Sequence, residues 1–267
     1  MKFEKVPRTQ YEHNILFEVV FQARFPPILK IANEEPAAFQ DIIRKKGFPE
    51  MKAKKSDRTS LPANIPESIR KVIAGEDEYS FLSEDGNWKA SLTKEFIALT
   101  CTNYTEYGEF EKCLTTLLEV FGQVYEPGYF NRIGLRYRNL ANASVLKKDK
   151  IDNVREFIPK VIAPELQQAI GDEVRAFEKT IIFSDSVCNA NVRYIFAELS
   201  GTFGNFKINN EKSYIIDIDC FTEEKERDVT SVIRKSRLFN EEYVRNIFHA
   251  ATTPALHDAM EPIPRSN

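Results

Sequence analysis

Arg132, Arg136 and Arg138, with Gly134 completing an alternating row, stand out in NRIGLRYRNL at residues 131–140. A guanidinium is a planar fork of five donors that suits a carboxylate or a phosphate. In a strand these four positions share one flank, while Ile133, Leu135 and Tyr137 share the other. Like charges two residues apart repel, so the row needs water, acidic partners or an anion. SYIIDIDCF at 213–221 offers acids of the same spacing: Asp217 and Asp219 on one flank, Ile216 and Ile218 on the other. The first expectation is that the two strands share a sheet and pair across it, each opposite-charge pair contributing about 0.2–1 kcal/mol. Two others compete with it: a solvated row with no partner, and an anion site for phosphate, nucleotide or nucleic-acid backbone. Gly134 leaves a gap beside Arg136 that another group can enter.

Other chemistry is thinly represented. Asp-x-Asp on a strand can hold magnesium, but no third acid and no phosphate cradle accompany it. The three histidines, His13, His249 and His257, form no H-x-x-x-H pair, and Pro254 separates the last two. There is no G-x-S-x-G, no P-loop and no G-x-G-x-x-G after a strand. Catalytic residues, a metal site and a cofactor are therefore not expected, and the reading leans away from an enzyme.

The elements that must position the row follow from periodicity. NILFEVVFQARF (14–25) alternates with period two and reads as a half-buried strand, stopped by Pro26 and Pro27. A helix follows, with Pro36 in its first turn, Phe39, Ile42 and Ile43 facing inward, and Gly47 at a left-handed end. Residues 49–67 read as a polar loop carrying Lys52, Lys54, Lys55 and Arg58, a surface loop or a contact for an acidic partner. Two or three antiparallel strands are expected over 78–104, one holding Trp88. Phe110, Cys113, Leu114, Leu117, Leu118 and Phe121 recur at three and four, a helical stripe. Residues 162–171 read as a short helix, and FEKTIIFS, NVRYIFAELSG and KSYIIDIDCF as strands. The last 40 residues are helical, with Asn240 capping one helix and Thr253–Pro254 restarting another. Phe239, Tyr243, Ile247 and Phe248 occupy about half of that helix's circumference, to cover the sheet or meet a second copy.

The fold class is thus α+β: mostly antiparallel sheets packed by helices, in two similar strand-rich halves (1–145 and 146–267) that can also form one continuous domain. A net charge of −3 argues against whole-molecule attraction to nucleic acid or anionic membrane. Four cysteines without a C-x-x-C pair fit buried free thiols in a reducing compartment. A polar N-terminus without a signal core, and no apolar run of about 20 residues, point to the cytoplasm and away from membranes.

EVVFQARFP, RIGLRYRN, IIDIDCF and the ending FHAATTPALHDAM, in this order and spacing, resemble a sporadically distributed bacterial and archaeal family of about 250 residues and unknown function. The ending departs from the commoner form, in which a histidine precedes the NEEY-like part. The resemblance implies a prokaryotic cytoplasmic protein whose gene moves between genomes, as defence and toxin–antitoxin genes do. It supplies no catalytic residues. Together these readings favour a non-enzymatic binding or assembly protein acting with a co-encoded protein partner, or as a homodimer. The alternative is an enzyme or sensor that takes a phosphorylated ligand on Arg132, Arg136 and Arg138, with Asp217 and Asp219 holding metal or sugar hydroxyls.

Overall fold

The computed structural model describes residues 3–54, 77–151, 153–168, 171 and 173–264. Among these residues, nine antiparallel strands form one sheet. In chain order they are β1 (Leu16–Arg24), β2 (Glu50–Lys54), β3 (Glu78–Leu82), β4 (Trp88–Leu92), β5 (Phe96–Cys101), β6 (Arg132–Ala141), β7 (Phe177–Ser184), β8 (Asn189–Phe203) and β9 (Phe206–Thr222). In space the order is β2-β3-β4-β5-β1-β6-β9-β8-β7.

That order repeats itself about the centre. β1 hands the chain to one edge, and β2 to β5 return as a meander to lie beside β1. β6 hands it to the other edge, and β7 to β9 return beside β6. A helix follows each return: α3 (Tyr107–Tyr125) after β5 and α4 (Val229–Leu238) after β9. Among the described residues, the outermost strand β2 has no equivalent beyond β7. The sheet crosses residue 145 without a break, through the β6–β9 ladder.

Alternation sorts the strands into two faces. Val19, Phe21, Leu99, Leu135, Ile216, Ile218 and Val192 point into a single core. α3 seals it with Phe110, Leu114, Leu117, Leu118 and Phe121, the stripe expected from its spacing. α1 (Leu29–Asn33) and α2 (Ala37–Ile43) add Ile31, Phe39 and Ile43, and Gly47 ends that unit at φ 100°. Val232 and Ile233 of α4 belong to the same core.

Three local expectations need correction. The segment read as a loop from 49 begins with β2, so Lys52 and Lys54 lie on an edge strand, whereas Lys55 and Arg58 fall outside the described residues. Residues Pro164–Gln167 form only a 3-10 turn. Asn240 caps nothing, because α4 runs through a π-helical turn (Phe239–Val244) into α5 (Arg245–Ala250) without a break. Within that helix Phe239, Tyr243 and Ile247 are buried, so they cover the sheet; Phe248 keeps partial exposure. Thr253 does cap α6 (Pro254–Ala259).

Two details tie the periphery down. The β8–β9 hairpin overshoots β6 and bulges at Leu199–Gly201. Its tip bends back, so that Asn205 Nδ2 donates to Asn87 Oδ1 at 3.0 Å and Phe203 packs edge-on against Phe17. Gly204, at φ 54°, lies so close to β1 that a Cβ there would sit 2.1 Å from the Phe17 carbonyl oxygen. The N-terminal segment is held by His257, whose ring stacks on Tyr11 and is hydrogen-bonded through Nδ1 to the Tyr11 hydroxyl (2.5 Å) and through Nε2 to the Thr252 hydroxyl (2.8 Å), one nitrogen donating and the other accepting. Burial lowers the His257 pKa, the nearby His249 lowers it further, and Asp258 opposes them.

Gly204→Ala should lower stability by about 1–3 kcal/mol more than Gly86→Ala, since both require positive φ but only Gly204 meets backbone. Chemical denaturation measures the difference; equal losses would show that the hairpin tip does not rest on β1. A histidine whose folded pKa is depressed costs stability once the unfolded chain takes up the proton. The denaturation midpoint should therefore fall as pH drops through about 6.5, and His257→Gln should flatten that fall. An unchanged slope in the variant would remove His257 as the cause.

Candidate functional site

Strand β6 carries the arginine row as its alternation requires: Ile133, Leu135 and Tyr137 are buried, and Arg132, Arg136 and Arg138 stand half-exposed on the opposite face. β9 lies alongside in antiparallel register, with Arg136 opposite Asp219 and Arg138 opposite Asp217. Two of the guanidiniums pass over the residues directly opposite on β9, whereas Arg138 takes the acid directly opposite it on β1. Arg136 reaches diagonally to Asp217, with Nε at 2.7 Å from Oδ1 and Nη2 at 2.5 Å from Oδ2, a bidentate fork. Arg132 bonds Asp219 at 3.2 Å, and Arg138 turns to Glu18 on β1 at 2.9 Å, leaving its Nε 3.9 Å from Asp217.

Gly134 has a specific part in this. The Arg132 side chain folds over it, and a Cβ at 134 would lie 2.8 Å from Arg132 Nη1. The gap beside Arg136 is thus filled from within the strand. Arg132 also covers the Phe221 ring at 4.5 Å, and Arg138 the Phe17 ring at 4.6 Å, both cation–π contacts.

Asp217 is the member with most at stake, being only 6% exposed. A carboxylate withdrawn from water is costly unless charged donors replace the water. The Arg136 fork replaces it, and hydrogen bonding to Asp217 is the main reason the Arg136 pKa rises. Burial raises the pKa of Asp219 despite the opposing pull of Arg132 and Arg136.

The lattice extends across the face. Arg24 pairs with Glu95 at 3.4 Å and Arg193 with Glu178 at 2.6 Å. Five arginines of this face therefore each have a carboxylate partner. Val20, Phe96, Phe221, Ile195 and Ile182 lie among them, and Ile182 is 71% exposed.

The structure gathers all five candidate residues, Arg132, Arg136, Arg138, Asp217 and Asp219, into one cluster. It also adds Glu18, Phe17 and Phe221, which the sequence reading left unassigned. Alternation of β1 puts Glu18 on the row's side, but pairing it with Arg138 needs the register between β1 and β6. A cavity of about 590 Å³ lies elsewhere, and none of the five lines it. Among the described residues no group of three or more His, Cys, Asp or Glu is placed to hold a metal ion. Three thiols are held protonated: burial pushes Cys101 to about 11 and Cys113 to about 12, and Cys220 is raised by a hydrogen bond with Cys188 and by burial.

No protein-family model and no curated protein sequence matches the chain. No helix among the described residues is long and apolar enough to cross a membrane.

Arg136→Ala strips Asp217 of its fork while leaving the carboxylate buried. Stability should fall by about 1–3 kcal/mol, against less than about 1 kcal/mol for Arg193→Ala, whose pair is exposed. Urea denaturation of both variants checks this. Equal, negligible losses would mean that the fork holds nothing.

Proposed function

We propose that this chain is a non-enzymatic binding protein that engages a protein partner through the arginine-bearing face of its sheet. The observation that carries the reading is the neutralised lattice: five guanidiniums matched by five carboxylates, interleaved with Val20, Phe96, Phe221 and Ile182. A nucleic-acid or phosphate surface keeps cations uncommitted for the backbone to neutralise. Here each arginine of the row has a carboxylate within 3.2 Å. Arginine and aromatic side chains set among apolar ones are the composition of protein interfaces.

On this reading the partner is encoded beside this gene, in a mobile defence or toxin–antitoxin type system of a bacterium or archaeon, and the complex forms in the cytoplasm. Four cysteines free of disulfides support a reducing compartment. Homodimerisation through the same face is the other assembly the lattice suits, since arginine and carboxylate rows complement themselves about a dyad.

The test is co-purification and calorimetry with the product of the adjacent gene, and sedimentation of the chain alone. Val20→Lys combined with Ile182→Lys should weaken the complex by at least about tenfold without moving the melting temperature. A complex that ignores these changes, or no complex and no self-association, would overturn the proposal.

A further inference from the structure

At one end of the sheet, on the helix-covered side, lies the cavity of about 590 Å³. Small-molecule sites typically occupy about 300–1,000 Å³. Segments far apart in sequence wall it: the N-terminal segment (Arg8 to Leu16), the β5–α3 loop, the tip of the β8–β9 hairpin, and the π-helical turn with the start of α5. π-helical turns inside helices recur at functional sites. Here Asn240 and Val244 within that turn, and Arg245 just after it, line the cavity.

The polar groups have a direction. Tyr137 donates its hydroxyl proton to Asn240 Oδ1 at 3.0 Å, so it accepts from Tyr104, 3.0 Å away. Burial raises the Tyr104 pKa to about 12 and drives that of Tyr137 well above its usual value, so both phenols stay neutral. With its oxygen occupied, Asn240 has only its amide N–H groups left to offer. The side chains of Arg245 and Lys147, also on the wall, have no hydrogen-bond or ion-pair partner among the described residues. Glu12 is the single carboxylate in the lining. What faces the space is therefore a set of donors and two uncommitted cations. Half-buried Tyr11, Tyr104, Phe206 and Phe248 supply flat apolar surface beside them.

We propose that this cavity binds a small organic anion carrying a planar ring, of about mononucleotide size, with the acidic group on Arg245 and Asn240 and the ring against the aromatic wall. The guanidinium and amide donate to the anion, as charge-assisted hydrogen bonds favour. Nucleotides and aromatic carboxylates share this chemistry. The site is independent of the partner-binding face and lies on the other side of β6.

Isothermal titration of the full chain at low ionic strength, with AMP and with indole-3-acetate, separates the two sources. At least one should bind, and its neutral counterpart, adenosine or indole, at least about tenfold more weakly. Arg245→Ala and Asn240→Asp should each weaken the bound anion at least about tenfold. Asp at 240 still accepts from Tyr137 but withdraws the donors, and matching melting curves without ligand show that both variants are folded. The proposal is overturned if neither anion binds at about 1 mM, if the neutral compounds bind as tightly, or if both variants keep wild-type affinity.

Discussion

Among the described residues, the arginine-bearing face of the nine-stranded sheet is satisfied by its own side chains, and the Arg136–Asp217 fork sits at the centre of that solution. Asp217 occupies the middle of the face, 6% exposed, where a lone carboxylate would be untenable. The arginines of β6 make it tolerable, and their charges are in turn held by Glu18 and Asp219 on the flanking strands. The pairs straddle β1, β6 and β9, so charge matching and strand register constrain one another: a one-residue slip would drive arginines into the core. β1 and β6 are also where the two repeats of the strand order meet. The cluster thus lies on the seam of the sheet.

β6 has a second side. Tyr137, between Arg136 and Arg138 in sequence, points through to the cavity, where it links Tyr104 to Asn240. A single strand therefore presents an ion-pair lattice to one flank and a hydrogen-bonded tyrosine relay to the other. A change in strand register or twist would be felt on both. Gly134 belongs to the same economy of space, since its lack of a side chain lets Arg132 fold over to Asp219 and Phe221.

How much of this the sequence carries depends on how local the signal is. The strand β6, its two flanks and its match to Asp217 and Asp219 follow from a period of two and from charge. The stripe of α3 follows from a period of 3.6. The diagonal choice of partners does not, because it depends on side-chain reach across a register set by three strands. β2 hides in a polar stretch because an edge strand exposed along its whole length has no apolar alternation to betray it. The π-helical turn is equally silent: FNEEYV looks like a capped helix start, yet packing of Phe239, Tyr243 and Val244 keeps the helix continuous through Asn240. The cavity is least visible of all, since Tyr104, Tyr137, Phe206 and Arg245 share no motif and meet only through the fold.

The central claim is that the arginine row is a structural lattice held by carboxylates. A double-mutant cycle on Arg136→Ala and Asp217→Ala, read by equilibrium denaturation, tests it most directly. The account predicts a favourable coupling energy above about 1 kcal/mol, with the double variant recovering part of the loss from removing arginine alone. Additive losses with no coupling would contradict it and return the row to solvent or to an external anion.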